Sequence, residues 1–339
     1  MPSVLALVLL LLGLLAPLTG TAEATATGLL SDVVFADDAA VAHGPELARR
    51  SLSPLTALRL RSQVAGGPAI DLARERFTLY VPAEAPPHGY GLMVYVSPWP
   101  GATVPSGWSA ILDRHGLIFV GAANAGNDAN TFERREPLAL LAVHNVMTRY
   151  PVDPQRVFVG GFSGGSRVAE RLALAYPDLF RGALLDAGSD PIGDALPLPP
   201  ADLFRRFQEV SRLVYLTGQR DDFHGNEDRL SQRSMRGWCM FGLDTATRAW
   251  AGHDQADPAS LDRALAVLEQ PVSADPHPLA DCRARLDQEM AAQFRAIEAL
   301  RAGGKLDGAW ALLAKTDAHY GGLAAARTLE VAAQLAASR

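Results

Sequence analysis

The stretch Val157 to Pro177, VFVGGFSGGSRVAERLALAYP, sets Ser163 among four glycines, between a β-branched run and an amphipathic segment. Gly161-Phe162-Ser163-Gly164-Gly165 fits G-x-S-x-G, a pattern that on a strand-to-helix turn lifts a serine hydroxyl clear of a sheet for nucleophilic attack. Such a turn is strained and crowded, so the residues two before and two after the serine must have almost no side chain. Gly161 and Gly165 occupy those places. The amide of Gly164, opening the following helix, is placed to bind an oxyanion, and the helix dipole adds positive potential. A phosphate loop fits poorly: Phe162 takes the second glycine of G-x-G-x-x-G, and no Gly-Lys-Ser/Thr is present. A glycine turn with only a structural role is the remaining alternative, and the partners of Ser163 must decide.

A nucleophile elbow is followed in the chain by an acid and then a histidine. The run Arg212 to Thr217 leads into GQRDDFHGNED, and Asp221 lies three residues after Gly218. A carboxylate on that loop orients an imidazole and stabilises its protonated form. Asp222 and Asp186 are the rival acids, the first a neighbour on the loop, the second at the end of the preceding run. Four histidines follow Asp221. His224 is too close to the acid to approach the serine independently. His277 falls in a proline-rich break and His319 in a helical tail. His253 lies between TRAWAGH, readable as a last strand, and a helix starting near Asp257, where it would take the serine proton.

These residues need a scaffold, and the chain reads as one. Phe77–Val81, Gly91–Val96, Gly116–Ala123, Val157–Gly160, Gly182–Ala187 and Arg212–Thr217 are short apolar runs that predict strands. Leu138–Arg149, Arg167–Ala175, Asp202–Val210 and Asp257–Glu269 have helical spacing. Continuous apolar strands alternating with helices predict a mostly parallel sheet covered on both faces. After Gln270 the composition changes. Beyond the Pro-rich Pro271–Pro278, residues 279–339 carry Ala, Leu, Arg and Glu at helical spacing, with breaks at Gly303-Gly304 and Gly321-Gly322. Three helices packed on the sheet are expected, a tetratricopeptide-like pair being the alternative.

With elbow, acid and histidine in this order, the chain resembles the α/β-hydrolase superfamily, in particular secreted esterases of the polyhydroxybutyrate-depolymerase-like and feruloyl-esterase-like kinds. The resemblance covers about Phe77 to Glu269 and is carried most clearly by Arg149 to Gly182. It implies an α/β-hydrolase sheet with a C-terminal helical appendage, Ser163 as nucleophile, Asp221 as acid and His253 as base. It also implies hydrolysis of a small-molecule or polymeric carboxylic ester through an acyl-enzyme. Peptidase or thioesterase activity and a binding protein without turnover are the alternatives. One departure stands out. Where such esterases carry His-Gly after the strand equivalent to Gly91–Val96, this chain reads Ser97-Pro98-Trp99-Pro100-Gly101. Prolines have no N–H, so the amide of Trp99 is the expected second oxyanion donor, its ring a hydrophobic rim. The segment Asn124 to Glu136 is expected at the same rim, as a polar-substrate contact or a solvated loop.

Composition narrows the partners. A chain of 339 residues, 48% hydrophobic with formal net charge -6, is sized for one large domain plus an appendage and lacks the basic face that nucleic acid requires. No C-x-x-C or H-x-x-x-H spacing points to a metal, and no cofactor is implied. Residues 1–24, with an apolar run from Val4 to Leu15 and the small-residue sites Ala22-Glu23-Ala24 and Ala24-Thr25-Ala26, read as an export signal. An uncleaved anchor is the alternative. The expected organisation is a signal over 1–24, a hydrolase domain over 25–270 and an appendage over 271–339, the mature protein being secreted or periplasmic without a membrane span. Export makes a bridge between Cys239 and Cys282, the only two cysteines, the expectation over two buried thiols.

Overall fold

The computed structural model describes residues 26–35, 49–63, 70–272 and 275–338. The segment read as an export signal therefore lies outside the described residues. Eight strands form one sheet: β1 (Gly28–Val33), β2 (Phe77–Val81), β3 (Tyr90–Val96), β4 (Leu117–Ala122), β5 (Val152–Phe162), β6 (Gly182–Asp186), β7 (Arg212–Gly218) and β8 (Leu243–Arg248). Their spatial order is β1-β2-β4-β3-β5-β6-β7-β8. β1 and β2 are antiparallel to their neighbours, and every pairing from β4 to β8 is parallel. This is the α/β-hydrolase arrangement expected from the sequence.

The chain leaves β3 toward β4 on one side and returns to β5 on the other. The loops after β3 and β5 therefore diverge, opening the kind of crevice in which α/β sheets place their ligands. Ser163 follows β5 directly.

Alternate residues of the central strands feed two cores. Leu92, Val94, Val157 and Val159 face one side, against helices α3 (Glu136–Arg149) and α4 (Gly164–Ala175). Met93, Tyr95 and Phe158 face the other, against α2 (Ser109–His115) and α7 (Pro258–Leu268). Burial on both faces explains why these strands lack a polar-apolar alternation.

The last strand is placed differently from its reading in the sequence. Where TRAWAGH was the expectation, β8 covers Leu243–Arg248 and pairs in parallel with β7. Asp244, Thr245 and Thr247 give it the polar character of an edge strand, which an apolar run does not reveal. Residues after Arg248 form instead the loop that carries His253.

The tail forms α8 (Pro276–Ala302), α9 (Leu306–Tyr320) and α10 (Ala325–Ala337), interrupted near the two glycine pairs. Leu286, Phe294, Ile297, Leu313, Val331 and Leu335 are buried in the same core as the sheet's first face. α1 (Pro54–Gln63) and α5 (Ala201–Val210) lie beside the tail. Asp317 accepts the Leu55 N–H at 3.2 Å, and Arg283 donates to Gln208 at 2.6 Å and Glu209 at 2.9 Å. Cys239 and Cys282 are joined as a disulfide with Cα atoms 5.8 Å apart, as expected. It ties α8 to the segment following α6 (Asp222–Gly237). Among the described residues no helix is long and apolar enough to cross a membrane.

Candidate active site

Ser163 sits between β5 and α4 with φ 54° and ψ −123°, a left-handed conformation that a non-glycine residue adopts at a cost of order 1–3 kcal/mol. Its surroundings hold it there. Its N–H donates to the Asp186 carbonyl at 2.8 Å and its carbonyl accepts Ser166 N–H at 3.0 Å. A Cβ on Gly161 would run into the backbone of Gly165, and one on Gly165 into the carbonyl of Val96. The two glycines are therefore required by close backbone approach.

Asp221 follows β7 and caps α6, its carboxylate accepting the backbone N–H of His224 at 3.3 Å. The same carboxylate accepts from Nδ1 of His253 at 2.7 Å and from Nδ1 of His224 at 2.8 and 2.9 Å. A carboxylate only accepts, so the hydrogen-bond pattern assigns a proton to both Nδ1 atoms. Neutral His253 then presents the lone pair of Nε2 to Ser163 Oγ, 3.0 Å away. Burial raises the Asp221 carboxyl, but the bonds from His224 and His253 outweigh it and hold the group below the ordinary carboxylate value. This is the geometry in which an imidazole removes a hydroxyl proton while a charged carboxylate stabilises the resulting imidazolium. The structure brings together the three residues selected from the sequence.

The rivals are placed elsewhere. Asp222 is exposed in the first turn of α6. Asp186 is fully buried and its Oδ2 accepts the Ala256 N–H at 2.7 Å. Burial raises its carboxyl to about 7, opposed by Arg248. Asp186 thus anchors the loop bearing His253 rather than the histidine itself. Trp108 Nε1 donates to Ala256 O at 2.9 Å and Arg248 Nη1 to Gln255 O at 2.9 Å, completing the anchorage.

His224 belongs to the site in a way the sequence reading did not assign. Its ring lies 4.0 Å from that of His253 at an interplanar angle of 11°. His253 also stacks on Phe162 at 4.8 Å, and Phe162 on Trp99 at 5.5 Å. The available signal was spacing: a residue three after a helix cap reaches back to the cap, as in a capping box. Asp221, His224 and His253 are metal-capable, with ligand atoms within 4.8 Å of one another. Here the Nδ1 atoms of both histidines are directed at Asp221 Oδ2, at 2.9 and 2.7 Å, and are used as donors to that carboxylate.

The two proposed oxyanion donors differ. The N–H of Gly164 opens α4, where backbone donors have no partner within the helix. The N–H of Trp99 donates to Ser97 Oγ at 3.0 Å, while the residue as a whole is 52% exposed. The charges of Asn124 to Glu136 are largely structural. Arg134 pairs with Glu75 at 2.6 Å and donates to Asn124 O, and Arg135 donates to Ala125 O at 2.9 Å and Ser97 O at 3.2 Å.

No family model matches the chain. It is 33% identical over 96 residues to poly(3-hydroxyalkanoate) depolymerase C of Paucimonas lemoignei, a match covering 24% of this chain and 23% of that protein. The chain thus spans about a quarter of the length of the curated relative it matches. Among solved structures it is similar to an S-formylglutathione hydrolase from Staphylococcus aureus, at 12% identity and TM-score 0.45 over 58% of this chain and 93% of that one. An acetyl xylan esterase from Aspergillus awamori gives 14% identity and TM-score 0.44 over 57% and 94%. A poly(3-hydroxybutyrate) depolymerase from Bordetella parapertussis gives 16% and 0.43 over 61% and 88%. Likenesses this distant carry no argument about the chemistry.

Proposed function

We propose that the chain is an exported serine hydrolase that cleaves carboxylic esters through an acyl-enzyme. The observation carrying this reading is the continuous line from Asp221 Oδ2 through His253 to Ser163 Oγ, with spacings of 2.7 and 3.0 Å. Ser163 Oγ bonds to the ester carbonyl carbon as its proton passes to His253 Nε2, and the carbonyl π pair moves onto oxygen. Gly164 N–H receives that negative charge at the end of the α4 dipole. Collapse expels the alcohol, which takes the proton from His253. Water activated by the same imidazole then releases the acid.

Poly(3-hydroxyalkanoate) is the polymer that the matched relative is named for, and a polymeric or small-molecule ester is the class we assign. The disulfide agrees with passage through an oxidising compartment, and export by residues 1–24 is part of the proposal. Assaying the purified protein on matched ester, thioester and peptide substrates tests the reaction class. Turnover of esters well above the other two supports it; peptide cleavage without ester turnover refutes it.

A further inference from the structure

The loop after β3 poses a problem for any reaction that builds an oxyanion at Ser163. In Pro98-Trp99-Pro100 only Trp99 has an N–H, and that N–H is already bonded to Ser97 Oγ at 3.0 Å. Gly164 alone would leave the oxyanion with one backbone donor, whereas such sites commonly supply two. We propose that the side-chain amide of Asn127 supplies the second donor. The proposal rests on the reading of Ser163 as an acyl-transfer nucleophile.

Three observations place Asn127 there. First, its carboxamide lies over the Cα of Gly164. A Cβ built on Gly164 would be 2.9 Å from Asn127 Cγ and 3.0 Å from Nδ2, with Oδ1 nearer still. The residue directly after the nucleophile is thus covered by an amide group.

Second, that amide is free. Asn127 is exposed, and no hydrogen bond engages its side chain among the described residues. Rotation by 180° about the last side-chain torsion exchanges Oδ1 and Nδ2 at little cost, so either atom can face a ligand.

Third, the backbone carrying it is fixed. Asn127 N–H donates to Pro98 O at 2.9 Å and Asn124 N–H to Pro100 O at 2.6 Å. A Cβ on Gly126 would meet Trp99 C at 2.7 Å and Pro100 N at 2.9 Å, so the two loops pack backbone against backbone. Arg135 bridges Ala125 O and Ser97 O from beneath. With its backbone fixed, the amide needs only rotation about its own side-chain torsions to meet charge on the substrate oxygen. Ser97 and the two prolines, which remove the backbone donor, also build the surface that holds its replacement.

In the reaction, the carbonyl oxygen gains the π electron pair as Ser163 Oγ bonds to carbon. It accepts one hydrogen bond from Gly164 N–H and one from Asn127 Nδ2–H, and no proton leaves either donor. The interaction strengthens as the oxygen becomes anionic and tetrahedral, so its effect falls chiefly on kcat and on the binding of tetrahedral analogues, with little effect on KM.

The test compares wild type, Asn127→Ala, Asn127→Asp and Ser163→Ala on one ester that the protein turns over. Inhibition by phenylboronic acid, which forms a tetrahedral anion on a reactive serine, is measured alongside. For Asn127→Ala, kcat should fall by roughly 10²–10³ with KM nearly unchanged, and boronate inhibition should weaken. Asn127→Asp, the same shape with a negative charge, should lose at least as much. Both variants should melt with wild type, because the side chain is exposed and unbonded. Asn127→Ala with wild-type kcat, or with only KM raised, overturns the proposal while Ser163→Ala remains inactive. If Ser163→Ala itself retains turnover, the nucleophile reading has failed and Asn127 falls with it.

Discussion

Asp221 is the most heavily used carboxylate of the site, accepting from two imidazoles and one backbone N–H. Its charge fixes the His253 ring so that Nε2 faces the serine, and this predicts a large effect of a small change. Asp221→Asn should lower kcat by roughly 10⁴ with little loss of stability, because the amide favours the wrong tautomer of His253. Asp222→Asn, at an exposed position, should be nearly neutral. The opposite ranking in steady-state kinetics would move the acid by one residue. Ser163, Asp221 and His253 were legible because each closes a strand or a strand-to-helix loop, where chain order limits the choice. The bond of His224 to Asp221 follows from a three-residue spacing, but its stacking on His253 and the place of Asn127 over Gly164 depend on packing between residues distant in the chain and were not legible.

Helices α4 and α6 are tied together by a buried acid. Glu170 of α4 accepts from Ser231 Oγ of α6 at 2.7 Å and from Asp190 N–H at 2.6 Å. Ser231 in turn bonds Tyr215 OH of β7 at 2.9 Å. Burial pushes the Glu170 carboxyl up to about 8, against the pull of those hydrogen bonds. Above its ordinary value of 4.5 the unfolded chain has released this proton while the folded protein keeps it. Stability from this group is therefore greatest at low pH and declines as pH rises toward about 8. Glu170→Gln removes the titration, so its melting temperature should gain on wild type steadily from about pH 5 to about pH 8. Parallel melting profiles across that range would show that the carboxyl is not held protonated. Elements were legible where burial was two-sided, as in β2 to β7. The edge strands β1 and β8 lack a continuous apolar run, and the polar surface of α6 hides a helix of 16 residues.

At the scale of the molecule, the tail is a structural part of the hydrolase fold's flank. Gly322 N–H donates to Leu198 O at 2.6 Å, and a Cβ on Gly321 would meet Leu198 N at 2.6 Å. Trp238, next to Cys239, packs against His319 and Tyr320 of α9. The glycine breaks between the tail helices could be read from sequence; the docking of Gly321-Gly322 against residues 197–200 could not. The disulfide closes a separation of 43 residues, worth at most about 4 kcal/mol on a loop-entropy basis. Reduction should therefore lower the melting temperature, and non-reducing peptide mapping should recover Cys239 linked to Cys282. Two thiols that alkylate freely in the native protein would contradict this.

The central claim is that Ser163 is a nucleophile activated by His253 and Asp221. Its most direct test is labelling of the intact protein with a fluorophosphonate, followed by mass spectrometry of the modified peptide. The account predicts a single adduct on Ser163, lost in Ser163→Ala together with ester turnover, which falls on the order of 10⁶-fold. An adduct on another residue, or a Ser163→Ala protein that still labels and turns over ester, would contradict it.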